Sequence, residues 1–163
     1  MTPKRIGKGM WAIAWVLLLA MLYQFFDGQV EERYSPNQNL SSDPSSVVVL
    51  KRNRQGHYVA PGKINGTDVV FLLDTGATTV SIPSNVAEKI GLEYGRKQQV
   101  GTANGVIDVY STKLSSVQLG GITMNNIRGH INPYMDNSTV LLGMSFMRDL
   151  EIIQKGDSLT LKL

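Results

Sequence analysis

An acidic residue closes the longest apolar run outside the N-terminal region. Val69–Leu73 contains only Val, Phe and Leu, and it is followed directly by Asp74-Thr75-Gly76-Ala77. A carboxylate at the end of such a run loses solvation, so hydrogen bonds or a function must offset that cost. Thr75 offers a hydroxyl, and Gly76 fits a tight loop. The sequence therefore singles out Asp74 as a candidate catalytic carboxylate, with a simple turn aspartate as the alternative.

The surroundings of Asp74 and two later segments resemble one enzyme family. Leu72–Ala77 has the sequence Leu-Leu-Asp-Thr-Gly-Ala and is similar to the active-site motif of aspartic proteases. Leu141-Leu142-Gly143 matches the family's second motif, two apolar residues and a glycine that open a short helix. Between them, Val100–Val106 resembles the flap, with Asn104-Gly105 as its turn. The closest resemblance is to bacterial membrane-anchored retropepsin-like proteases, which share an N-terminal membrane helix and the flap sequence Thr-Ala-Asn-Gly.

Asp-Thr-Gly occurs once in the chain, whereas the reaction of this family needs two carboxylates. One carboxylate acts as a base toward a water molecule, while the other is protonated and polarises the scissile carbonyl. Two close carboxyls share one proton because like charges do not both ionise easily. The resemblance therefore implies a symmetric homodimer in which each chain contributes Asp74 at the two-fold axis.

The resemblance also implies roles for the residues around Asp74. Thr75 would hydrogen-bond to the active-site loop of the partner chain and hold the two carboxylates coplanar. Gly76 would let the backbone approach the substrate closely, and Ala77 belongs to the same supporting loop. Thr78 departs from many viral relatives, which have an acid there, so substrate contacts are expected to differ. The hydrolysis needs no metal and no cofactor, because its nucleophile is water.

Two further segments are expected to enclose the substrate. The flap would close over an extended peptide that is recognised mainly through its main chain, as in strand addition. The second motif would supply part of a side-chain pocket through Leu141. Side-chain preference is therefore expected to be broad and mainly apolar beside the cleaved bond. The flap residues are Thr102, Ala103, Asn104 and Gly105, and the second motif consists of Leu141, Leu142 and Gly143.

Short strands must position these residues, because β-branched runs alternate with Gly, Asn and Pro from Val47 onward. Asn65-Gly66 predicts a tight hairpin turn, since both residues tolerate positive φ. The continuous run Val69–Leu73 predicts a strand buried on both faces. The domain is therefore predicted to be all-β, a barrel or folded sheet. The resemblance implies, more specifically, a retropepsin-like (pepsin-type) closed β-barrel lobe with one or two short helices. Strands are predicted at 47–50, 57–60, 69–73, 96–101, 106–114, 116–119, 121–127, 139–142, 150–154 and 158–163, and helices at 83–90 and 143–148.

The first 46 residues predict a membrane anchor and a tether. Met10–Phe26 contains 17 residues with one polar member and no charge, which is about enough for a helix to cross the hydrocarbon layer. Basic residues before this run and acidic residues after it predict a cytoplasmic N-terminus and an exported domain. The resemblance to bacterial proteases implies that this domain lies on the periplasmic face of a bacterial inner membrane. Bulky residues at the end of the apolar run favour a retained anchor over a cleaved signal peptide. The predicted organisation is a basic N-terminus at 1–9, a transmembrane helix at 10–26, a flexible tether at 27–46 and a protease domain at 47–163.

The composition and the motifs argue against several other classes of function. The chain has 163 residues and no cysteine, which excludes disulfides, thiolate zinc sites and cysteine nucleophiles. Its formal net charge of +3 is too small to indicate a nucleic-acid partner. Gly143–Met147 lacks the final glycine of a serine-hydrolase nucleophile elbow. His57 and His130 are interpreted as strand residues facing solvent rather than as ligands.

The function predicted from the sequence is a membrane-tethered aspartic endopeptidase that works as a homodimer on extended polypeptides. The main alternative is a non-catalytic, pepsin-like peptide-binding module anchored to the membrane, because activity depends on a dimer that the sequence does not display. A third hypothesis is a protease that must first cut its own tether.

Overall fold

The computed structural model describes residues 3–41, 43–44, 47–102 and 105–163. These residues fall into two compact units, one that ends at Tyr34 and one that spans Ser35–Leu163. The first unit is the helix α1 (Pro3–Tyr34). Its segment Gly9–Phe26 is exposed throughout, and it is long and apolar enough to cross a membrane. The helix extends beyond the predicted span 10–26 at both ends, so it includes the first residues of the predicted tether.

The second unit contains ten strands and two short helices among the described residues. The helices are α2 (Ser84–Lys89) and α3 (Met144–Met147). The strands are β1 (Val47–Lys51), β2 (Val59–Ile64), β3 (Thr67–Leu73), β4 (Val80–Pro83), β5 (Lys97–Thr102), β6 (Gly105–Leu119), β7 (Ile122–Asn132), β8 (Thr139–Leu142), β9 (Glu151–Lys155) and β10 (Ser158–Lys162).

Six of the described strands close into a barrel. They follow the order β2-β3-β8-β4-β7-β6, and β6 pairs back with β2 from Gly62↔Leu119 to Ile64↔Val117. β5 adds to the free length of β6 as a hairpin, while β1, β10 and β9 form a separate three-stranded sheet. The predicted all-β class with a closed barrel lobe and few helices is therefore confirmed.

Apolar side chains from the barrel strands and from both short helices form one core. Phe71 on β3, Leu142 on β8 and Phe146 on α3 are fully buried. Burying a side chain of this size stabilises the fold by about 1.5–3 kcal/mol. Because β3 and β8 lie side by side in parallel, this packing also fixes the position at which the chain leaves β3 as Asp74.

The prediction that β3 is buried on both faces is wrong. Val69 and Phe71 are buried, whereas Val70 between them is 44% exposed. β3 pairs with β2 on one side and with β8 on the other, so it is part of the barrel wall. A strand in such a wall has one face toward the interior and one face outward. The apolar run therefore does not imply burial of both faces.

Other predicted elements differ from the structure mainly at their boundaries. The predicted strands 106–114 and 116–119 form the single strand β6. β4 is absent from the sequence prediction, because four residues between a loop and a proline show too little periodicity. Pro83 precedes α2 as its N-cap residue instead of being its first helical residue. Asn65 and Gly66 have φ values of 50° and 82°, as the predicted hairpin turn requires.

Part of the predicted tether is packed within the second unit. Asn37 is 5% exposed. Its Nδ2 donates to the backbone oxygens of Lys51 at 2.9 Å and of Val59 at 2.8 Å. Its Oδ1 accepts from the Lys51 amide at 2.7 Å, and Leu40 packs against the core. The prediction of a flexible tether at 27–46 therefore differs from the structure. The chain is helical to Tyr34, and Asn37 is hydrogen-bonded to strands of the second unit.

Candidate active site

Asp74 follows β3 and begins a tight loop. Its amide donates to the backbone oxygen of Leu142 at 3.2 Å, so the loop starts from the β3–β8 pair. The Gly76 amide donates to Asp74 Oδ1 at 2.8 Å, and the Ala77 amide donates to the Asp74 backbone oxygen at 3.2 Å. One carboxylate oxygen is thereby oriented by the loop's own backbone, while the side chain stays partly exposed.

The first turn of α3 is hydrogen-bonded to the same loop. The Met144 amide donates to the backbone oxygen of Ala77 at 2.8 Å, and the Ser145 amide donates to that of Thr78 at 3.0 Å. These amides belong to the first turn of a helix, where backbone donors have no partner within the helix. The loop therefore supplies acceptors that α3 needs, and α3 in turn fixes the loop.

Gly143 is required by this close approach. A Cβ added there would lie 2.3 Å from the Thr79 backbone oxygen and 2.5 Å from that of Ala77. Atoms in proteins do not approach so closely, so any side chain at this position would push the loop away. This contact gives a physical reason for the glycine in the second motif.

The Ser145 side chain joins α3 to two barrel strands. Ser145 is 8% exposed. Its hydroxyl donates to the Arg128 backbone oxygen at 2.7 Å and accepts from the Val80 amide at 3.1 Å. Val80 begins β4 and Arg128 lies on β7, so one hydroxyl satisfies a donor and an acceptor from different strands. It thereby supports the strand that follows the Asp74 loop.

β5 and the first part of β6 form the predicted flap. They pair antiparallel from Lys97↔Tyr110 to Thr102↔Gly105, and Thr102 Oγ1 donates to the Gly105 backbone oxygen at 2.8 Å. Gly105 has a φ of 115°, which suits glycine better than other residues. The predicted flap residues Ala103 and Asn104 lie outside the described residues.

A salt bridge joins the two strands of the flap near its base. Lys97 Nζ lies 2.9 Å from Asp108 Oδ2, and both side chains are substantially exposed. The hydrogen bond from Lys97 to Asp108, together with the opposite charge, raises the pKa of Lys97. Because the pair faces solvent, we expect its contribution to stability to be small.

The loop and the flap line a common cleft of about 740 Å³. The loop contributes Asp74, Gly76 and Ala77, the flap contributes Thr102, and the second motif contributes Leu141. The structure therefore brings these five predicted residues to one cleft, although they come from separate parts of the chain.

The other described residues of the predicted site lie around this cleft. Thr75 is exposed at the turn of the loop, next to Asp74. Leu142 and Gly143 are buried behind the loop, where they support it. Gly105 begins the returning strand of the flap.

Polar side chains on β4 and β7 also line the cleft, and the sequence prediction did not assign them to the site. His130 is partly buried, and its Nδ1 lies 2.7 Å from Thr79 Oγ1. Burial lowers the pKa of His130. The prediction that His130 faces solvent is therefore wrong. The cleft residues that the sequence prediction did not assign are Thr79, Ser81, Gln98, His130 and Asn132, whereas Val100 and Gly101 belong to the segment that it assigned to the flap.

The sequence pattern that could have assigned these residues to the cleft is weak. His130 and Asn132 alternate with Ile131 on one strand, so they share a face. What brings that face to the cleft is the parallel pairing of β4 with β7, in which Ser81 lies opposite His130. This pairing joins residues about fifty positions apart and has no local sequence signature.

A single barrel lobe with one Asp-Thr-Gly loop beneath a hairpin is the architecture of retropepsin-like aspartic proteases. A sequence model of the family described as "gag-polyprotein putative aspartyl protease" matches residues 60–149. This range is more than half of the chain and contains both motifs and the flap. The chain belongs to this family, and the resemblance seen in its sequence is confirmed.

Individual relatives agree with the family match. The crystal structure of a retropepsin-like aspartic protease from Rickettsia conorii has a TM-score of 0.59 and 31% identity, covering 71% of this chain and 89% of that chain. An uncharacterized protein in the cobV 5' region of Sinorhizobium sp. is 30% identical over 97% of this chain and 75% of its own length. An uncharacterized protein of Rickettsia prowazekii (strain Madrid E) is 25% identical over 85% of this chain and 62% of its own length.

Proposed function

We propose that this chain is a membrane-tethered aspartic endopeptidase that is active as a homodimer. The observation that carries the proposal is the Asp74 loop, in which the Gly76 amide orients the carboxylate at 2.8 Å beside a cleft lined by the flap. The chain has only one Asp-Thr-Gly sequence, so a pair of carboxylates requires a second copy. Each chain then supplies half of the active site.

The Asp74 pair holds one proton between its two carboxyls. The ionised carboxylate removes a proton from water as the water oxygen bonds to the peptide carbonyl carbon, and the protonated carboxyl donates to the carbonyl oxygen. The carboxyl that took the water proton then protonates the amide nitrogen, while the other carboxylate takes a proton from a hydroxyl of the tetrahedral intermediate. The carbon–nitrogen bond breaks, and the pair again shares one proton. The rate is expected to be highest at mildly acidic pH, because one carboxyl must stay protonated.

The substrate of this site is an extended polypeptide. A flap made of two paired strands offers main-chain donors and acceptors over the cleft, which is how an extended peptide is recognised in strand addition. The cleft volume of about 740 Å³ in one chain lies in the range of ordinary ligand sites, and the partner chain would continue it across the two-fold axis.

Membrane attachment is proposed from α1 and from the charges that flank its apolar segment. Gly9–Phe26 has the length and composition of a single span. Lys4, Arg5 and Lys8 precede it, and acidic residues follow it. The positive-inside rule then favours a cytoplasmic N-terminus and a protease domain on the opposite, periplasmic face.

Peptide hydrolysis by the full-length chain in detergent micelles tests the catalytic role. Asp74→Asn should abolish cleavage of a degenerate peptide library, whereas Asp136→Asn, in an exposed loop, should not change it. Equal cleavage by wild type and Asp74→Asn would overturn the assignment. Binding of extended peptides by a monomer that never cuts them would favour the non-catalytic module instead.

A mixing experiment tests whether the site is shared. Wild type and Asp74→Asn are co-expressed in equal amounts, so random pairing leaves about a quarter of the dimers with two Asp74 carboxylates. Activity per total protein should fall to about that fraction, relative to wild type alone. A fall to about one half would indicate that each chain acts independently.

The membrane orientation can be tested directly because the chain has no cysteine. Ser115→Cys places one thiol at an exposed position of β6, and Thr2→Cys places one in the N-terminal segment. A membrane-impermeant maleimide applied to cells with a permeabilised outer membrane should label the first variant and spare the second. The reverse pattern would refute the proposed orientation.

A further inference from the structure

We infer that the cleft wall formed by β4 and β7 is a polar subsite that selects a substrate side chain with an uncharged hydrogen-bonding group, a carboxamide or a hydroxyl. This inference rests on the proposed function, because it describes what the protease selects. The wall consists of Thr79, Ser81, His130 and Asn132, all of which line the cleft that holds Asp74.

The parallel pairing of β4 with β7 gathers Ser81, His130 and Asn132 on one face, and Thr79 directly precedes β4. Ser81 lies opposite His130, and the next pair opposes Ile82 and Ile131. Because side chains alternate along a strand, the two isoleucines point the other way, and both are fully buried in the core. The face toward the cleft therefore carries polar residues where an apolar wall would be equally compatible with the barrel.

Thr79 and His130 form a matched pair within this wall. The Thr79 hydroxyl and His130 Nδ1 are 2.7 Å apart, so one ring nitrogen is engaged and the ring is oriented. Burial lowers the pKa of His130, which favours the neutral ring. A neutral imidazole has one donor and one acceptor nitrogen, so Nε2 offers a single hydrogen bond and the ring offers no charge to pair with a charged substrate group.

Asn132 is oriented in a similar way. It is 8% exposed, and its Oδ1 accepts from the Tyr134 amide at 2.9 Å. This bond fixes the side-chain amide, so its NH₂ group is available as a donor. Ser81, which is 3% exposed, donates to the sulfur of Met135 at 3.4 Å, and sulfur is only a weak acceptor.

An apolar substrate side chain placed against this wall would displace water from its polar side chains. It would not replace the hydrogen bonds that the water makes with them. Sites built to hydrogen-bond a substrate group discriminate strongly against analogues that lack it. Leu141 and Val100 line the same cleft and provide apolar surface. The preference is therefore expected to be polar at one substrate position, while positions next to the apolar residues remain apolar.

The experiment uses the full-length protein in detergent micelles and one cleavable peptide from a degenerate library. Asn and Leu, which are similar in size, are compared at each position around the cleaved bond, and kcat/KM is measured for each peptide. At one position the Asn peptide should be cleaved at least about tenfold more efficiently than the Leu peptide. Other positions should favour Leu or show no difference.

Variants connect that preference to the wall. The double variant Thr79→Val with His130→Leu should remove or reverse the preference at that position and leave the other positions unchanged. His57→Leu, which changes the other, exposed histidine, should keep the wild-type pattern. Thr79→Val alone exchanges a hydroxyl for a methyl group of similar size, and it should reduce the preference even if the double variant folds poorly.

The outcomes separate this inference from the proposed function. If Asn and Leu peptides are cleaved equally at every position, or Thr79→Val keeps the full preference, the polar subsite is refuted while the protease assignment stands. If wild type cleaves nothing, the proposed function fails, and binding of the same labelled peptides by fluorescence polarisation decides the subsite. Asn peptides that bind no more tightly than their Leu counterparts would then refute it.

Discussion

Gly143→Ala should distort the Asp74 loop although it adds only one methyl group. The added Cβ would lie 2.3 Å from the Thr79 backbone oxygen and 2.5 Å from that of Ala77, and Cβ atoms essentially never come within 3.0 Å of another heavy atom. The obstructing atoms are backbone, so no side-chain rotation can relieve the clash. The loop and α3 must separate.

The loss of stability in Gly143→Ala follows from the contacts between α3 and the loop. Inserting a methyl group into a closely packed site costs about 1–3 kcal/mol. Separation also weakens the two hydrogen bonds from the first turn of α3 to the loop, at 2.8 and 3.0 Å, which contribute about 1 kcal/mol each. Together these effects predict a loss of about 3–5 kcal/mol in the free energy of unfolding.

Urea unfolding of the full-length chain in micelles, followed by circular dichroism, measures this loss. Hydrogen–deuterium exchange should show faster exchange in the peptide that covers 140–150. Peptide hydrolysis should fall by about a hundredfold, since a displacement near 1 Å is enough for such an effect. Gly101→Ala is the matched control for the urea and exchange measurements, because a Cβ there meets nothing within 4 Å. An unchanged urea midpoint and unchanged exchange in Gly143→Ala would refute the predicted separation of the loop from α3.

Three further changes should have separable effects. Ser145→Ala leaves the buried Val80 amide and the partly buried Arg128 backbone oxygen without their partner, so it should lower the free energy of unfolding by about 1–3 kcal/mol in the same urea assay. Asn37→Ala removes three hydrogen bonds and should make the segment 35–41 more susceptible to limited proteolysis, whereas Asn39→Ala, at an exposed position, should not. Because burial lowers the pKa of folded His130 from 6.5, the unfolded chain binds more protons, so stability is full above about pH 6.5 and falls as the pH drops through the folded pKa. His130→Gln should abolish this fall, while His57→Gln should retain it.

Results opposite to these would be informative. A Ser145→Ala chain as stable as wild type would mean that water replaces the hydroxyl. Unchanged proteolysis in Asn37→Ala would mean that Leu40 alone docks the segment. An identical pH dependence in wild type and His130→Gln would mean that another group titrates.

Local chemistry made part of this protein predictable from sequence. The Asp74 loop follows an apolar strand within a few residues, and Asn65-Gly66 forms its turn by the φ preferences of two residues. The apolar segment of α1 is visible because crossing a membrane needs only length and composition. These features depend on neighbours in the chain, so the order of residues contains the necessary information.

Long-range pairing determined the rest. The contact between Thr79 and His130 joins residues 51 positions apart, and the amide of Asn37 reaches Val59 across 22 positions. A polar residue on a strand has the same local pattern whether it faces solvent or a cleft, because the alternation identifies a face and not its surroundings. The sequence alone therefore determined the family, the apolar N-terminal segment and the candidate carboxylate. Only the tertiary structure decided which polar face lines the cleft and where the folded unit begins, because burial depends on which distant strands pair.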